Sequence, residues 1–409
     1  MKRYALMSLL IVTLFSCKKE VVVEEKEEKV TPEAQREVQV ATTATVTTVN
    51  VTPTTVLDAA FWSGIQTMLQ TNHVDVVFAD GTYNISSTIT LSNIGSATKR
   101  LQLKANSVGA AVLTGSITKL MSLNNCQNIL IHRLKFTGAV SEYALVIQRS
   151  PNITVAYCRF ENMPNLYYGA VGAHYATSNN VIIRQCQFSK IGIGSTAHMI
   201  YGAFGVKRLK VIENTFTDCS GSFIRFRGDN STHGVVYGNT FNSTGTYMVT
   251  TTSGTTAVNP IFVEVPVFNN IDPGDETFGT SFLVTKNNFS YATVGNQSTR
   301  YAFAFHSSGF NPTGRTHLIS VADATTLGTG TVTQKRAIMS SKLGLDGTKI
   351  LYGANNLVNV ANNVVYRCWS AYDGVVAPWT GVVDISSAVT STGLATTYDE
   401  ALIFYDNLY

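Results

Sequence analysis

Charge is scarce in this sequence: Asp, Glu, Lys and Arg make up 14% of 409 residues, against about a quarter in an average soluble domain. The formal net charge is only +4, and no long run of Lys or Arg occurs. That removes the electrostatic footprint nucleic acid requires of a partner. No C-x-x-C occurs among the six cysteines, so structural zinc has no recognisable ligand set. Five cysteines follow Cys17, an odd number, which excludes complete disulfide pairing among them. Apart from a short stretch at the start, nothing is long and apolar enough for a membrane helix. Helical repeats rich in Ala, Leu and Glu are absent too.

What is present is a 44% apolar content, ample for a large core, with abundant Gly, Thr, Asn, Ser and Val. This bias suits an extended β protein full of turns. The beginning reads as an address. Lys2 and Arg3 precede the apolar stretch Tyr4 to Phe15, and Leu14-Phe15-Ser16-Cys17 follows. The expectation is a signal peptide over 1–16. The L-F-S-C ending resembles a bacterial lipobox, which implies lipidation at Cys17 and a place in the cell envelope. Residues 17–56 are charged and Thr/Val-rich with little pattern, and are expected to form a flexible tether.

From residue 57 onward the chain repeats. N-N-C-Q-N-I-L-I-H-R-L-K-F (124–136), Q-R-S-P-N-I-T-V-A-Y-C-R-F (148–160) and A-T-S-N-N-V-I-I-R-Q-C-Q-F (176–188) align with 204–216 and 229–241. Their phenylalanines fall at 136, 160, 188, 216 and 241. Phe289 would lie about two steps further on. Eight residues before each Phe stand Asn128, Asn152, Asn180, Arg208 and His233. Two before stand Leu134, Cys158, Cys186, Asn214 and Asn239. Apolar positions alternate in pairs between Asn and Gly punctuation. A coil of short strands fits, each turn lying about 4.8 Å from the last. Inward Ile, Val and Phe fill the bore, Asn takes the bends, and Cys158 and Cys186 stack as free buried thiols. A chain this long would make about a dozen turns before insertions are subtracted. Residues 243–278 and 307–350 break the period and read as long loops. Leu57–Gln70 has helical apolar spacing with Asp58 as cap, suited to covering the open end of the coil.

This periodicity resembles the right-handed parallel β-helix of the pectate-lyase-like superfamily. The fold expected over 57–409 is therefore all-β: one right-handed parallel β-helix with an N-terminal capping helix, as a monomer.

Within it, S-G-S-F-I-R-F-R-G-D (220–229) sets Arg225 and Arg227 alternately with Ile224 and Phe226. If the apolar pair faces inward, both arginines face out. The turn before is A-H-M-I-Y-G-A-F (197–204), and the one before that is G-A-V-G-A-H-Y-A (169–176). Stacking then gathers His174, His198, Arg225 and Arg227 on one outer sheet. Tyr167, Tyr168, Tyr175 and Tyr201 lie nearby, Asp229 is in the turn, and Lys207 is at the next bend. A His beside arginines suits an acidic polysaccharide. β-Elimination on a uronic acid needs a base for the C5 proton, a cation for the carboxylate and an acid for the leaving oxygen. Arg binds a carboxylate in two places.

Residues 214–241 also resemble the catalytic turn of the alginate lyase and chondroitinase B family. Arg227 matches that family's arginine. The family's lysine, in an N-K-S motif one turn earlier, is replaced here by Ala203-Phe204-Gly205-Val206, with Lys207 displaced. His198 is the candidate for that place. The family's calcium-binding carboxylates have no clear counterpart. Asp272, Asp275 and Glu276 are the one acidic group that suits calcium, and no other cofactor is called for. A glycoside hydrolase would need paired carboxylates, and the outward columns are poor in them. A non-catalytic glycan-binding or adhesive β-helix remains the rival reading, with the arginines then a solvated face that discourages aggregation. His132, His233, His306 and His317 read as structural or loop residues.

The lipobox makes one measurable demand. Cys17→Ser should move the protein from the membrane to the soluble fraction, and retention on the membrane would contradict the lipid anchor.

Overall fold

In the computed structural model the chain is described over residues 45–194, 196–227 and 234–245. Beyond these it is described over 247–251, 254–257, 263–266, 283–291, 300–306, 353–354, 357–360 and 366–371, and at Ala322 and Gln334. The leader, Cys17, Asp229, His233, the acidic residues 272–276, His317 and the stretch 307–350, the two single positions apart, lie outside these residues. Three long parallel sheets run side by side: a first of ten strands that includes His73–Phe78, a second of nine that includes Gly81–Asn84, and a third of nine that includes Ile89–Ser92. Each strand pairs with the equivalent strands of the coils before and after it, as at Ile131↔Val155↔Ile183↔Val211. The architecture is the expected all-β parallel solenoid, with a helix near the start.

That helix, Ala59–Met68, is capped by Asp58, whose side chain accepts from Phe61 N at 2.9 Å. Its apolar face buries Trp62 and Ile65 against the first coil. Gln66 fixes the far side through Gly95, with one bond to its carbonyl and one from its amide.

The bore is built from columns. The phenyl rings of Phe136, Phe160, Phe188, Phe216 and Phe241 stack at 4.8–4.9 Å with planes within 16°. This spacing matches the strand separation, so each ring lies on the next without bending the backbone. Bends between the first and second sheets are made by single residues with left-handed φ: Arg133, Tyr157, Gln185, Glu213, Gly238 and Lys286. Asn128, Asn152, Asn180 and Arg208 do the same one bend earlier, as the asparagines there led one to expect.

The inside-corner column changes chemistry partway along. Cys158 and Cys186 are free and buried. Desolvation pushes the Cys186 thiol well above its ordinary value. From Asn214 onward the corner is an amide ladder. Asn239 Oδ1 accepts from Asn214 N at 2.8 Å and from Asn214 Nδ2 at 3.0 Å. Its own Nδ2 donates to Val211 O and to Asn287 Oδ1. These bonds satisfy corner amides that leave the strand ladder where the chain turns.

Three expectations change. The tether over 17–56 ends early, because Val46–Val51 is a strand paired in parallel with His73–Phe78. Its Thr/Val composition is that of a half-buried strand. The stretch 243–278 is not one loop. It holds an antiparallel hairpin, Met248–Thr251 with Gly254–Ala257. It also holds a strand of the third sheet, Val263–Pro266. Phe289 lies one coil beyond Phe241, not two, because the extra residues leave the coil as that excursion.

Replacing Asn239 by Leu fills the corner with an apolar side chain of similar size but strips it of its bonds and orphans Asn214 N and Val211 O. A loss of about 3 kcal/mol is expected, read as a lower urea midpoint at unchanged slope. A loss under about 1 kcal/mol would show that the ladder does not hold the corner.

Candidate functional site

The outer face of the third sheet is set by strand alternation. Ile224 and Phe226 are buried in the core, so Arg225 between them takes an outward position on Ser222–Arg227. The neighbouring strand His198–Ala203 pairs with it as His198↔Ser222, Tyr201↔Arg225 and Ala203↔Arg227. Gly169–His174 pairs in turn as Gly169↔His198, Gly172↔Tyr201 and His174↔Ala203. Tyr143–Gln148 continues as Tyr143↔Gly169 and Gln148↔His174. These registers bring His174, His198, Tyr201 and Arg225 onto one face, and the backbone of Arg227 is in register with Ala203. Lys207 is not among them; it is on the bend leading to the first sheet, where its carbonyl accepts from Asn180 N.

Within the face, His198 stands in register with Ser222, three residues before Arg225. Their Cα atoms are therefore about 11 Å apart, from about 10 Å along the strand and one inter-strand step. Tyr201 bridges this gap. Its backbone is beside Arg225, and the His198 ring packs on its ring at 4.9 Å. Arg225 is half-buried. His198 is only 2% exposed, so its imidazole is shielded from bulk water.

His174 is boxed by aromatic rings: Tyr143 at 5.2 Å, Phe204 at 5.4 Å, Tyr201 at 5.9 Å and Tyr175 at 6.3 Å, all edge-on. Burial, with Lys119 adding to it, lowers its pKa to about 3, so it is neutral at ordinary pH. Its Nε2 is buried without a hydrogen-bond partner among the described residues. Two glycines make the box possible. A Cβ on Gly172 would come within 2.7 Å of the Tyr143 ring and 3.0 Å of His174 Nε2. A Cβ on Gly169 would meet Tyr201 Cβ at 3.0 Å.

Exposed aromatics stand at both ends of these strands. Before Gly169, Tyr167 and Tyr168 are 47% and 38% exposed, and Tyr168 stacks on Tyr143 at 5.6 Å. After His174 and Ala203, Tyr175 and Phe204 stack at 5.3 Å, with the Arg149 guanidinium 4.0 Å over Tyr175. Arg149, Tyr175 and Phe204 all hold left-handed φ, an unfavourable state for bulky residues. Tyr143, Phe204 and Arg149 were missed in the sequence. Their signal was position alone: Tyr143 fills the space that Gly169 and Gly172 leave on the next coil.

Among the described residues no three His, Cys, Asp or Glu side chains gather as metal ligands, and no helix is long and apolar enough to cross a membrane.

Comparison with known proteins bears on the coil. Residues 120–309, just under half of the chain, match the family model of the right handed beta helix region. No curated protein matches the sequence. Among solved structures, an alginate lyase from Paenibacillus sp. str. FPU-7 is similar at 14% identity and TM-score 0.38, over 64% of this chain and 94% of that one. A mannuronic acid specific polysaccharide family 6 lyase from human gut microbiota is similar at 14% identity and TM-score 0.34, over 63% of this chain and 80% of that one. ORF18 of Geobacillus virus E2 gives 14% and 0.33, over 64% and 58%. Likeness at this level describes the course of a coil and assigns no activity. Sequence match and chain course agree on what the protein is by architecture: a right-handed parallel β-helix protein.

Proposed function

We propose that this chain takes an acidic, uronate-containing polysaccharide on the outer face of its third sheet and cleaves it by β-elimination. The register Tyr201↔Arg225 is the observation that carries the reading, because it makes the two residues neighbours across the strands with the His198 ring packed on that of Tyr201. Arg225 and Arg227, alternating on one strand, hold the sugar carboxylate and oppose the charge that grows on it as the C5 proton leaves. His198 takes that proton. The electron pair forms the C4–C5 double bond, the C4–oxygen bond breaks, and the departing oxygen is protonated by the Tyr201 hydroxyl. The resemblance of 214–241 to the catalytic turn of the alginate lyase and chondroitinase B family supports the same chemistry. Secretion and lipid anchorage at Cys17 would place the enzyme in the cell envelope, where such polymers are met.

A second reading is a glycan-binding module without turnover. What favours it is the burial of both histidines, at 3% and 2% exposure.

A spectrophotometric panel of uronate polymers separates the two, since elimination leaves an unsaturated sugar that absorbs in the ultraviolet. The parent protein is expected to generate that absorbance on at least one polymer. Arg225→Ala should lower kcat/KM by about 10²–10³-fold, and His198→Ala should abolish turnover while binding persists. Binding without absorbance from the parent would establish the module. Neither binding nor absorbance on any uronate polymer would remove the acidic-polysaccharide reading altogether.

A further inference from the structure

Each coil passes from the first sheet to the second and then to the third, so the bend between the first two lies across the bore from the third. Positive charge gathers at that bend. On the outer face of the first sheet one column runs Lys104↔His132↔Ala156↔Arg184. Arg133 follows His132 at the bend itself. Two strand steps put the Cα atoms of His132 and Arg184 about 10 Å apart, with only the methyl group of Ala156 between them. Ala156 alternates with the core residue Val155 and so faces outward, yet it has no exposed surface. The side chains placed to cover it are His132, Tyr157 and Arg184, each half-buried. The Tyr157 ring stands edge-on to that of His132 at 5.3 Å.

The charge here is not balanced. Asp75 takes Arg100 at 3.1 Å and Lys104 at 2.7 Å. Among the described residues no carboxylate pairs with Arg133 or Arg184. Arg133 Nη1 donates to Asn106 O at 3.0 Å, and Arg184 Nη1 donates to Gln185 Oε1 at 3.4 Å. The Arg184 Nε is buried without an acceptor among the described residues. A guanidinium carries five donor hydrogens, so most of those at this corner are not used by the protein. A buried polar group in that condition points to a water or an ion. His132 registers the excess, since burial and then Arg133, Arg184 and Lys104 lower its pKa to about 4.

We propose that this corner is a phosphate-binding site, independent of the polysaccharide reading. Arg184 and Arg133 grip the oxygens of a phosphate ester beside the His132 ring. Two guanidinium forks suit a tetrahedral group with several acceptor oxygens. A bound dianion supplies both the charge and the acceptors that the corner lacks, and it favours the protonated imidazole. A soluble phosphate ester and a lipid headgroup offer the same chemistry.

Two arms test the site on the full chain: calorimetric titration with glycerol 3-phosphate, and sedimentation with phosphatidylcholine vesicles containing phosphatidic acid. Binding in the calorimeter identifies a soluble ester, and binding to the vesicles alone identifies a headgroup. In either arm Arg184→Gln and Arg133→Gln should each weaken binding at least about tenfold. Lys190→Gln, which removes an exposed cation of the second sheet, should leave it within about twofold. With a soluble ester bound, the His132 ring should also titrate about one pH unit higher. Affinity that Arg184→Gln leaves intact, an equal loss in Lys190→Gln, or no binding in either arm would overturn the site.

Discussion

The hydrogen bonding of each strand to its equivalent on the next coil governs this molecule. It fixes one step of about 4.8 Å and forces like positions to lie on like. Five phenyl rings then stack at 4.8–4.9 Å, and an asparagine column becomes a bonded ladder because each Oδ1 meets the amide of the coil before. No residue in these columns is chosen alone. A substitution is felt by its neighbours above and below, as in any stacked repeat whose stability is a sum of nearest-neighbour contacts.

The same step builds the outer face. Alternation that turns Ile224 and Phe226 inward turns Arg225 outward, and the ladder then decides what stands beside it. Tyr201 is Arg225's neighbour and Gly172 is Tyr201's. The glycine is required by what lies over it, since a Cβ there would collide with Tyr143. The residues of this face are therefore gathered from four successive coils, from Tyr143 to Arg225. The buried amides and thiols of the corners hold the coils in register, and the surface inherits its spacing from them.

Much of this is legible in the sequence wherever a column repeats. The phenylalanines, the bend asparagines, the Asp58 cap and the outward parity of Arg225 follow from period and alternation alone. Depth does not follow. Parity places His174 on the outer face, but its burial depends on rings from other coils, Tyr143 and Phe204; His198 reaches the same face as Tyr201, three residues on, because Met199 and Ile200 both turn into the core. The strand Val46–Val51 escapes because Thr and Val there precede the first recognisable repeat and match no column. Val263–Pro266 escapes because Pro266 at its end and Pro260 shortly before it make a short strand read as loop. The asparagine column is visible, yet its bonding role is not, since Asn214 aligns with Cys186 and Leu134, which fill the same corner by packing.

A crystal structure of the His198→Ala protein soaked with a uronate oligosaccharide tests most directly whether this face is the working site. A sugar carboxylate bound at Arg225 and Arg227, with its C5 hydrogen directed to the place the imidazole leaves, is the arrangement expected. An oligosaccharide seated on the first or second sheet, with the arginines of Ser222–Arg227 unoccupied, would contradict it.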